Sequence, residues 1–329
     1  MRISTLAQSL ASQNSILDLQ QKISIVREQI TTGKQSSSYG GLKGEDARFS
    51  VRLRETVETK DSFIDTIEKT QLRAQVLETT LVKITDLITE VRTELINQQP
   101  GLYPDQVPVM NQFADGAIDR LAGLLNTKVD GRFLFSGFGT TTQPMITTST
   151  VKAAYTQPAL SGGVAAINTA AATFFATNTN WNNLNALTPN TEQFSINVDV
   201  GVTLSYGETA HEDGFEEVEE ILYMFSKVAF TTGDDANYES LVTGGLTRIE
   251  AAFDTINQMV ADVGTFRKRI GEIETGHRDD IVIIGGQLNA IENADPFESA
   301  ITFQTLQGQL ESSFQTTASL RRLSLTQFI

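Results

Sequence analysis

Apolar side chains recur at helical spacing from the first residues of the chain. Ile3, Leu6 and Leu10 follow one another three and four residues apart. After a shift in phase, the same alternation continues through Ile16, Leu19, Ile23, Val26 and Ile30. This heptad pattern predicts a helix that packs along another helix, and the shift in phase is a stutter in it. The glycines and serines from Gly33 onward predict where the helix ends.

The C-terminal end of the chain repeats this pattern. A proline suits the first position of a helix, so Asp295-Pro296 predicts the start of a last helix. That helix carries its apolar positions at Ile301, Phe303, Leu306, Leu310, Phe314, Leu320, Leu323 and Leu325. The chain therefore begins and ends with helical segments of one kind.

Longer helices lie inside these two. The pattern predicts a helix from about Asp46 to Asn97, which at 1.5 Å per residue would be about 75 Å long. It predicts another from near Asn237 onward, through Ile249 and Ile270 to Ile291. Helices of such length are typical of bundles and coiled coils. Two shorter helices are expected at about 109–128, after a proline-rich turn, and at about 213–231.

The middle of the chain has a different composition. Asp130-Gly131, followed by aromatic and aliphatic residues, predicts a short hairpin. Threonine, alanine and asparagine dominate from about 140 to 190, and apolar residues then alternate from Phe194 to Leu204 as in a β-strand. We expect Trp181 and Phe174-Phe175 to form the small core of this region rather than a binding patch.

Together these elements predict a mainly α fold. The two chain ends form a long antiparallel helical bundle, or coiled-coil rod, and a small β-rich domain is inserted into it. The predicted boundaries are 1–42 with 295–329 for the paired terminal helices, 43–139 with 206–294 for the long helices, and 140–205 for the insert.

Charge and composition narrow the classes of partner. The net charge of the 329-residue chain is −15, with 40 acidic and 25 basic residues, and such a surface repels nucleic acid and anionic membranes. There is no cysteine, which excludes disulfides and thiolate metal sites. The apolar positions of the N-terminal segment are interrupted by serine, glutamine and asparagine, so we expect neither a cleaved signal peptide nor a membrane helix.

The two terminal segments are almost free of charge. No charged residue lies between Ile3 and Leu17, and Glu311 is the single charged residue between Ser299 and Leu320. A buried ion is costly unless it is paired, so uncharged flanks suit helices that are surrounded by neighbours. The alternative is an ordinary helical hairpin of a monomer whose outer faces simply lack charge. We favour assembly, because the inner helices do carry charge on their outer faces.

Candidate catalytic chemistry is sparse. His211-Glu212-Asp213 could suggest a metal or acid–base cluster, but a polar run before a helix is more simply an N-terminal cap. We place His277 on a solvated helix face. Asp234-Asp235 fits a turn, Asp279-Asp280 fits a helix surface, and the glycine pairs lack a phosphate-loop pattern. We therefore predict no enzyme activity, no cofactor and no metal.

Several motifs carry a resemblance to a known family. Met1-Arg2-Ile3-Ser4, Thr32-Gly33-Lys34 and the closing run 320–325 resemble the bacterial flagellin superfamily. Residues 131–137, of sequence GRFLFSG, are similar to the segment typical of flagellin-like hook-associated proteins of the hook–filament junction. The stretch 36–47 departs from the family pattern. The resemblance covers about 1–140 and 205–329.

The resemblance implies a structural subunit of the flagellum, either at the hook–filament junction or, as the alternative, in the filament. The terminal helices would form an inner tube, and the insert would face outward. The predicted interface residues are Ile3, Leu6, Leu10, Ile16, Leu19, Ile23, Val26, Ile30, Phe303, Leu306, Leu310, Phe314, Leu320, Leu323 and Leu325. Implied partners are identical subunits in a ring, an adjacent hook-associated protein, flagellin, and an export chaperone on the C-terminal helix. The protein would be extracellular and exported without a cleaved signal.

Overall fold

The computed structural model describes residues 2–42, 44–137, 139–177, 180–182 and 193–326. Side chains at 2–6, 8–9 and 320–326 lie outside that description. The described residues fall into two compact units, Met1–Ser62 with Gly276–Ile329, and Phe63–Thr275.

The two terminal helices form as the heptad pattern predicts. Helix α1 spans Arg2–Thr32 and ends where Gly33 takes a left-handed φ of 68°. The last helix, which we label α8, spans Pro296–Thr326. Its start is capped by Asp295, whose Oδ1 accepts hydrogen bonds from the backbone N–H groups of Phe297 and Glu298 at 2.8 and 3.2 Å. That cap satisfies two of the donors that a helix leaves unpaired at its N-terminus.

The long helices also form as predicted. Helix α2 spans Gly44–Ile96 and α7 spans Asp235–Glu292. In the unit Phe63–Thr275 the two helices are antiparallel, because their paired side chains fall in opposite order along the chain. Gln71 contacts Glu274, Glu78 contacts Arg267, and Arg92 contacts Glu250. In the other unit, Arg54 contacts Glu292 and Lys60 contacts Asp280 in the same sense.

Helix α3 begins earlier than the sequence predicts. It spans Tyr103–Leu125, so Pro104 lies in its first turn and Pro108 lies inside the helix. The proline-rich stretch is therefore part of the helix rather than a turn before it. A proline in the first turn loses no intrahelical hydrogen bond, and Tyr103 and Val107 extend the buried face of the helix toward its start.

A tight hairpin follows α3, as expected. Strands β1, Lys128–Val129, and β2, Arg132–Phe133, pair antiparallel through a turn at Asp130 and Gly131. Both turn residues have positive φ, 51° and 76°. An Asp-Gly pair suits this conformation, which twists in the same sense as the strands it connects.

The middle region, which we expected to be β-rich, also contains two helices. Helix α4 spans Thr148–Ala154 and α5 spans Val164–Phe175. Alanine supports helix more strongly than any other residue, and both segments are alanine-rich. Trp181 and Phe175 are buried with ring centroids 5.9 Å apart, so these two aromatics form a core as expected. Phe174 is half-buried and packs against that core.

The alternating segment forms two strands, so the single strand expected from Phe194 to Leu204 is wrong. Strand β3, Phe194–Asp199, pairs antiparallel with β4, Val202–Tyr206. The turn between them forms because Gly201 has a φ of 76° and Asp199 Oδ1 accepts a hydrogen bond from Val200 N at 2.7 Å. A short polar side chain and a glycine are typical turn chemistry, which the apolar alternation conceals.

Helix α6, Asp213–Ser226, is an amphipathic helix that packs against α3 and α5. It also buries carboxyl groups. Glu219 is 1% exposed, and its Oε1 has no hydrogen-bond partner within the described part of the chain. Burial raises the pKa of Glu219 to about 8, so this carboxyl is protonated at neutral pH. The Arg248 guanidinium, in contrast, contacts both Glu217 and Glu220 and offsets part of their negative charge.

Candidate assembly interface

The two terminal helices pack against each other within the unit Met1–Ser62 with Gly276–Ile329. Leu19 and Val26 are buried at their contact. Other predicted interface residues are half-buried: Ile16 and Ile23 on α1, and Phe303, Leu306 and Leu310 on α8. The sequence therefore identifies one apolar side of each helix, and this side is covered at least in part by the pairing.

The pairing leaves other large apolar side chains in water. Three predicted interface residues are exposed, namely Leu10 at 51%, Ile30 at 45% and Phe314 at 49%. Four more belong to the same exposed set, although the sequence analysis did not select them as interface positions: Leu17, Ile25, Phe297 and Ile301, at 62, 46, 83 and 65%. The predicted positions Ile3, Leu6, Leu320, Leu323 and Leu325 lie outside the described side chains.

A surface of this composition favours contact with further protein. Contiguous apolar surface is uncommon on soluble monomers and marks interaction sites. Burying one Leu, Ile or Phe side chain completely contributes roughly 1.5–3 kcal/mol. Leu10 lies in a stretch of α1 without charge, and Glu311 is the single charged residue between Ser299 and Leu320, around Phe314. Burying these two side chains would therefore desolvate few ions, each of which costs several kcal/mol.

A cluster of polar residues, which we call the Glu292 clasp, fixes where the terminal helices begin and end. Glu292 is the last residue of α7 and its side chain is 8% exposed. Arg54 on α2 binds it in a fork, with Nε to Oε1 at 3.0 Å and Nη2 to Oε2 at 2.6 Å. The Ser50 hydroxyl donates to Oε1 at 2.5 Å, and Lys34 Nζ lies 3.6 Å from Oε2. The clasp thus joins three separate parts of the chain.

Backbone hydrogen bonds reinforce the clasp. The segment after α1 runs antiparallel to the turn between α7 and α8, with Lys34 opposite Asn293. Gln35 N donates to the Glu292 carbonyl at 2.7 Å, and Ala294 N donates to the Gly33 carbonyl at 3.0 Å. Since these bonds connect the exit of α1 with the entrance of α8, they hold the two helices side by side.

The clasp strongly favours the charged form of its carboxylate. The hydrogen bonds from Arg54 have the largest effect on the pKa of Glu292, which is lowered to about 2; burial opposes this shift, and Ser50 and Lys34 add smaller contributions that lower the pKa. A bidentate arginine–carboxylate pair is among the strongest side-chain contacts. The sequence analysis missed this site, because Arg54 and Glu292 each look like one charged residue on a charged helix.

The histidines take positions other than those expected. His277 is 3% exposed, so the prediction of a solvated residue is wrong; its Nδ1 lies 3.3 Å from Lys60 Nζ, which covers it from α2. His211 is also buried, and its Nδ1 lies 3.5 Å from Asn182 Nδ2. The residue directly before α6 is Glu212, whose side chain makes no capping hydrogen bond, so this run does not form the side-chain cap that we expected.

The described residues form neither a metal site nor a membrane-spanning helix. In the described ranges, no three His, Cys, Asp or Glu side chains are arranged to hold a metal ion. Nor does any helix, as far as the structure describes the chain, have the length and apolar character needed to cross a bilayer.

Comparison with known proteins finds one family model and several solved structures that are similar to this chain. Residues 3–140 match the model of the bacterial flagellin N-terminal helical region. A protein from Vibrio parahaemolyticus assigned to the flagellar hook-associated proteins has a similar fold, with a TM-score of 0.55. The two chains are 13% identical in sequence, and the match covers 74% of this chain and 96% of that chain. Bacillus cereus FlgL, also at 13% identity, covers 72% of this chain and 99% of its own with a TM-score of 0.44.

No curated protein matches the sequence of this chain. The match over residues 3–140 confirms the flagellin resemblance drawn from the motifs of the N-terminal half. The structural match with the Vibrio protein confirms the mainly helical fold.

Proposed function

We propose that the chain is a flagellar structural protein of the flagellin and hook-associated type, and that it joins the hook to the filament as a hook-associated junction protein. The match of residues 3–140 to the model of the bacterial flagellin N-terminal helical region supports this proposal. Its role is mechanical rather than catalytic. It connects two tubes of different stiffness and offers a surface on which filament subunits assemble.

One observation carries this proposal, namely the large apolar side chains that the α1–α8 pair leaves exposed. Seven such residues on these two helices are between 45 and 83% exposed, and two of them, Leu10 and Phe314, lie in segments that are almost uncharged. Identical subunits arranged in a ring would cover them. Leu10, Ile30 and Phe314 then face neighbouring copies, whereas Leu19 and Val26 hold the pair together inside each copy.

Two features favour the junction over the filament. The Vibrio protein of similar fold is assigned to the hook-associated proteins. The segment 131–137 is similar to the junction type, and its Phe133, Leu134 and Phe135 are all buried beside the β1–β2 hairpin. Filament flagellin is the competing assignment, since it shares both terminal segments.

The proposal assigns a role to each part of the chain. Residues 1–42 and 295–329 form the inner tube, 43–139 and 206–294 form the layer of long helices, and 140–205 face outward. Neighbours along the axis are an adjacent hook-associated protein and flagellin. A chaperone holds the C-terminal helix before export to the flagellum. Without it, the exposed Phe297 and Ile301 of this helix would cause aggregation.

Immunogold labelling of intact cells tests the assignment. An epitope tag placed in the exposed turn at Val200, which is 79% exposed, would avoid both terminal helices. We expect a single cluster of gold at the point where the hook meets the filament. Labelling along the whole filament would instead identify a filament subunit, and labelling away from the flagellum would contradict both assignments.

A further inference from the structure

A group of cations in the unit Phe63–Thr275 has no carboxylate within 4.0 Å among the residues that the structure describes. Six Lys and Arg residues of this unit lie within 4.0 Å of a carboxylate. Among its described residues, the following cations form no such pair: Lys69, Arg73, Lys83, Lys128, Arg132, Lys227 and Arg269. Three of them, Lys69, Arg73 and Arg132, line one pocket. In a chain of net charge −15, this concentration of positive charge is unusual.

Three elements form the pocket. Helix α2 contributes Lys69 and Arg73, the β1–β2 hairpin contributes Arg132, and the β3–β4 hairpin contributes Phe194 and Tyr206. Asp130 is the single carboxylate among the described residues of the lining. Lys128 precedes the lining residue Val129 in β1, and its Nζ lies 4.2 Å from the ring centroid of Phe133 in the neighbouring strand. We call this group the basic pocket.

Arg73 is held in place before any ligand arrives. Its Nη2 donates to the Phe133 carbonyl at 2.7 Å, and its guanidinium carbon lies 4.2 Å from the ring centroid of Phe194. Burial lowers the pKa of Arg73; Tyr206 and Asp130 raise it and Arg132 lowers it, and the net shift is downward. The pocket therefore contains a partly desolvated cation whose charge is incompletely balanced, and an arriving carboxylate would relieve that imbalance.

We propose that the basic pocket binds carboxylate side chains on a second copy of this chain. Copies with 40 acidic and 25 basic residues repel one another over most of their surface. A local patch of opposite sign then fixes where two copies can meet, since like-charge contacts elsewhere are disfavoured. The inference rests on the proposed function for the presence of identical neighbours, and it adds the position and chemistry of one contact between them.

Zero-length cross-linking of the full chain tests which partner occupies the pocket. A carbodiimide couples a lysine to a carboxylate only when the two are in contact. Nitrogen-14 and nitrogen-15 labelled chains are mixed at high concentration, coupled, and analysed by mass spectrometry. We expect mixed-isotope peptides in which Lys69 or Lys128 is joined to an aspartate or glutamate. Lys83, an exposed and equally unpaired lysine on the same helix, is the internal control.

A peptide titration tests the chemistry independently of assembly. A fluorescent hexaglutamate peptide is titrated with the full chain, and binding is followed by anisotropy at low and high salt. We expect the double variant Lys69→Glu with Arg132→Glu to bind at least about tenfold more weakly, since two attractions become repulsions. The variant Lys83→Glu keeps binding within about twofold. Salt weakens binding to the unaltered chain.

Either arm can overturn the inference. A second copy does not occupy the pocket if mixed-isotope cross-links are missing at Lys69 and Lys128, or if they are as frequent at Lys83 as at these two lysines. Equal peptide binding by the double variant and by Lys83→Glu shows that the pocket does not recognise carboxylates. Neither result depends on where the protein lies in the flagellum, so the gold-labelling test of the proposed function can fail or succeed separately.

Discussion

Replacing Glu292 by glutamine is the most informative single perturbation of this fold. The substitution keeps the size of the side chain and an oxygen that accepts from Ser50. It removes the negative charge that Arg54 and Lys34 surround. Because the amide also places N–H donors toward a guanidinium that can only donate, one arm of the fork is lost. The terminal helices should then separate more readily from the ends of α2 and α7.

The expected magnitude follows from the pKa of the clasp. That pKa falls from 4.5 to about 2, and each unit corresponds to about 1.4 kcal/mol, which gives an upper value of about 3 kcal/mol. The Arg54 and Lys34 side chains are 45 and 43% exposed, so water screens part of this interaction. We therefore expect Glu292→Gln to reduce the stability of the α1–α8 pair by about 2 kcal/mol.

Hydrogen–deuterium exchange measures this local stability. A loss of about 2 kcal/mol corresponds to exchange about 30-fold faster at neutral pH in peptides from the end of α1 and the start of α8. Peptides from α3 and α6, which belong to the other unit, should keep their rates. Glu55→Gln is the matched control, because Glu55 is exposed on α2 and makes no ion pair among the described residues. It should change exchange by less than about twofold.

The reasoning is refuted if Glu292→Gln leaves exchange in the terminal helices within about twofold of the unaltered chain. That outcome would mean that the fork and the Ser50 hydroxyl contribute nothing net, and that the apolar contact of Leu19 and Val26 alone holds the pair. Faster exchange throughout the chain would also contradict it, since the clasp lies in one of the two units.

Three further predictions concern pH and packing. Because the pKa of Glu292 is depressed, this residue stabilises the fold fully above pH about 4.5, and its contribution is lost as the pH falls toward 2. Unfolding followed by circular dichroism should therefore show a difference in stability between wild type and Glu292→Gln that disappears in acid. The raised pKa of Glu219 gives the opposite pH dependence, because the stability of the wild type falls as the pH rises from about 4.5 to 8. The variant Glu219→Gln should therefore gain at least about 1 kcal/mol in stability over the wild type between pH 5 and 9, as measured by urea titration. Gly245→Ala should lower the free energy of unfolding by about 1–3 kcal/mol in the same assay, since the added Cβ would lie 2.8 Å from the Phe225 ring. In Gly244→Ala the added Cβ meets nothing within 4 Å, so this variant should stabilise α7 by up to about 1 kcal/mol. Unchanged acid sensitivity, parallel pH profiles, or equal effects of the two alanines would each contradict the corresponding prediction.

Local patterns predicted the helices well. The heptad spacing of α1, α2, α7 and α8 is a property of consecutive residues, and it indicates which side of each helix is apolar whatever the partner. The Asp130-Gly131 turn was equally visible, because its two residues suit positive φ angles. The alternation from Phe194 to Leu204 misled, since period two continues on both sides of a tight turn and gives no sign of the turn itself.

Contacts between distant residues could not be predicted in the same way. Ser50, Arg54 and Glu292 meet across 238 or more residues of chain, and nothing near any of them indicates a clasp. His277 illustrates the same difficulty, since its neighbours along α7 are charged but Lys60 covers it from another helix. The distinction between Leu19, which is buried, and Leu10, which is exposed, also depends on where α8 lies.

Cysteine labelling of assembled flagella tests the central claim most directly. The chain has no cysteine of its own, so Leu17→Cys, Ile301→Cys and Val200→Cys each introduce one reactive thiol at a residue that is 62, 65 or 79% exposed in the single chain. All three should react with a maleimide in the purified chain. In isolated hook–filament assemblies, we predict that the thiols at 17 and 301 are protected while the thiol at 200 still reacts. Equal labelling of all three in the assembly would contradict the claim that the terminal helices are buried between copies.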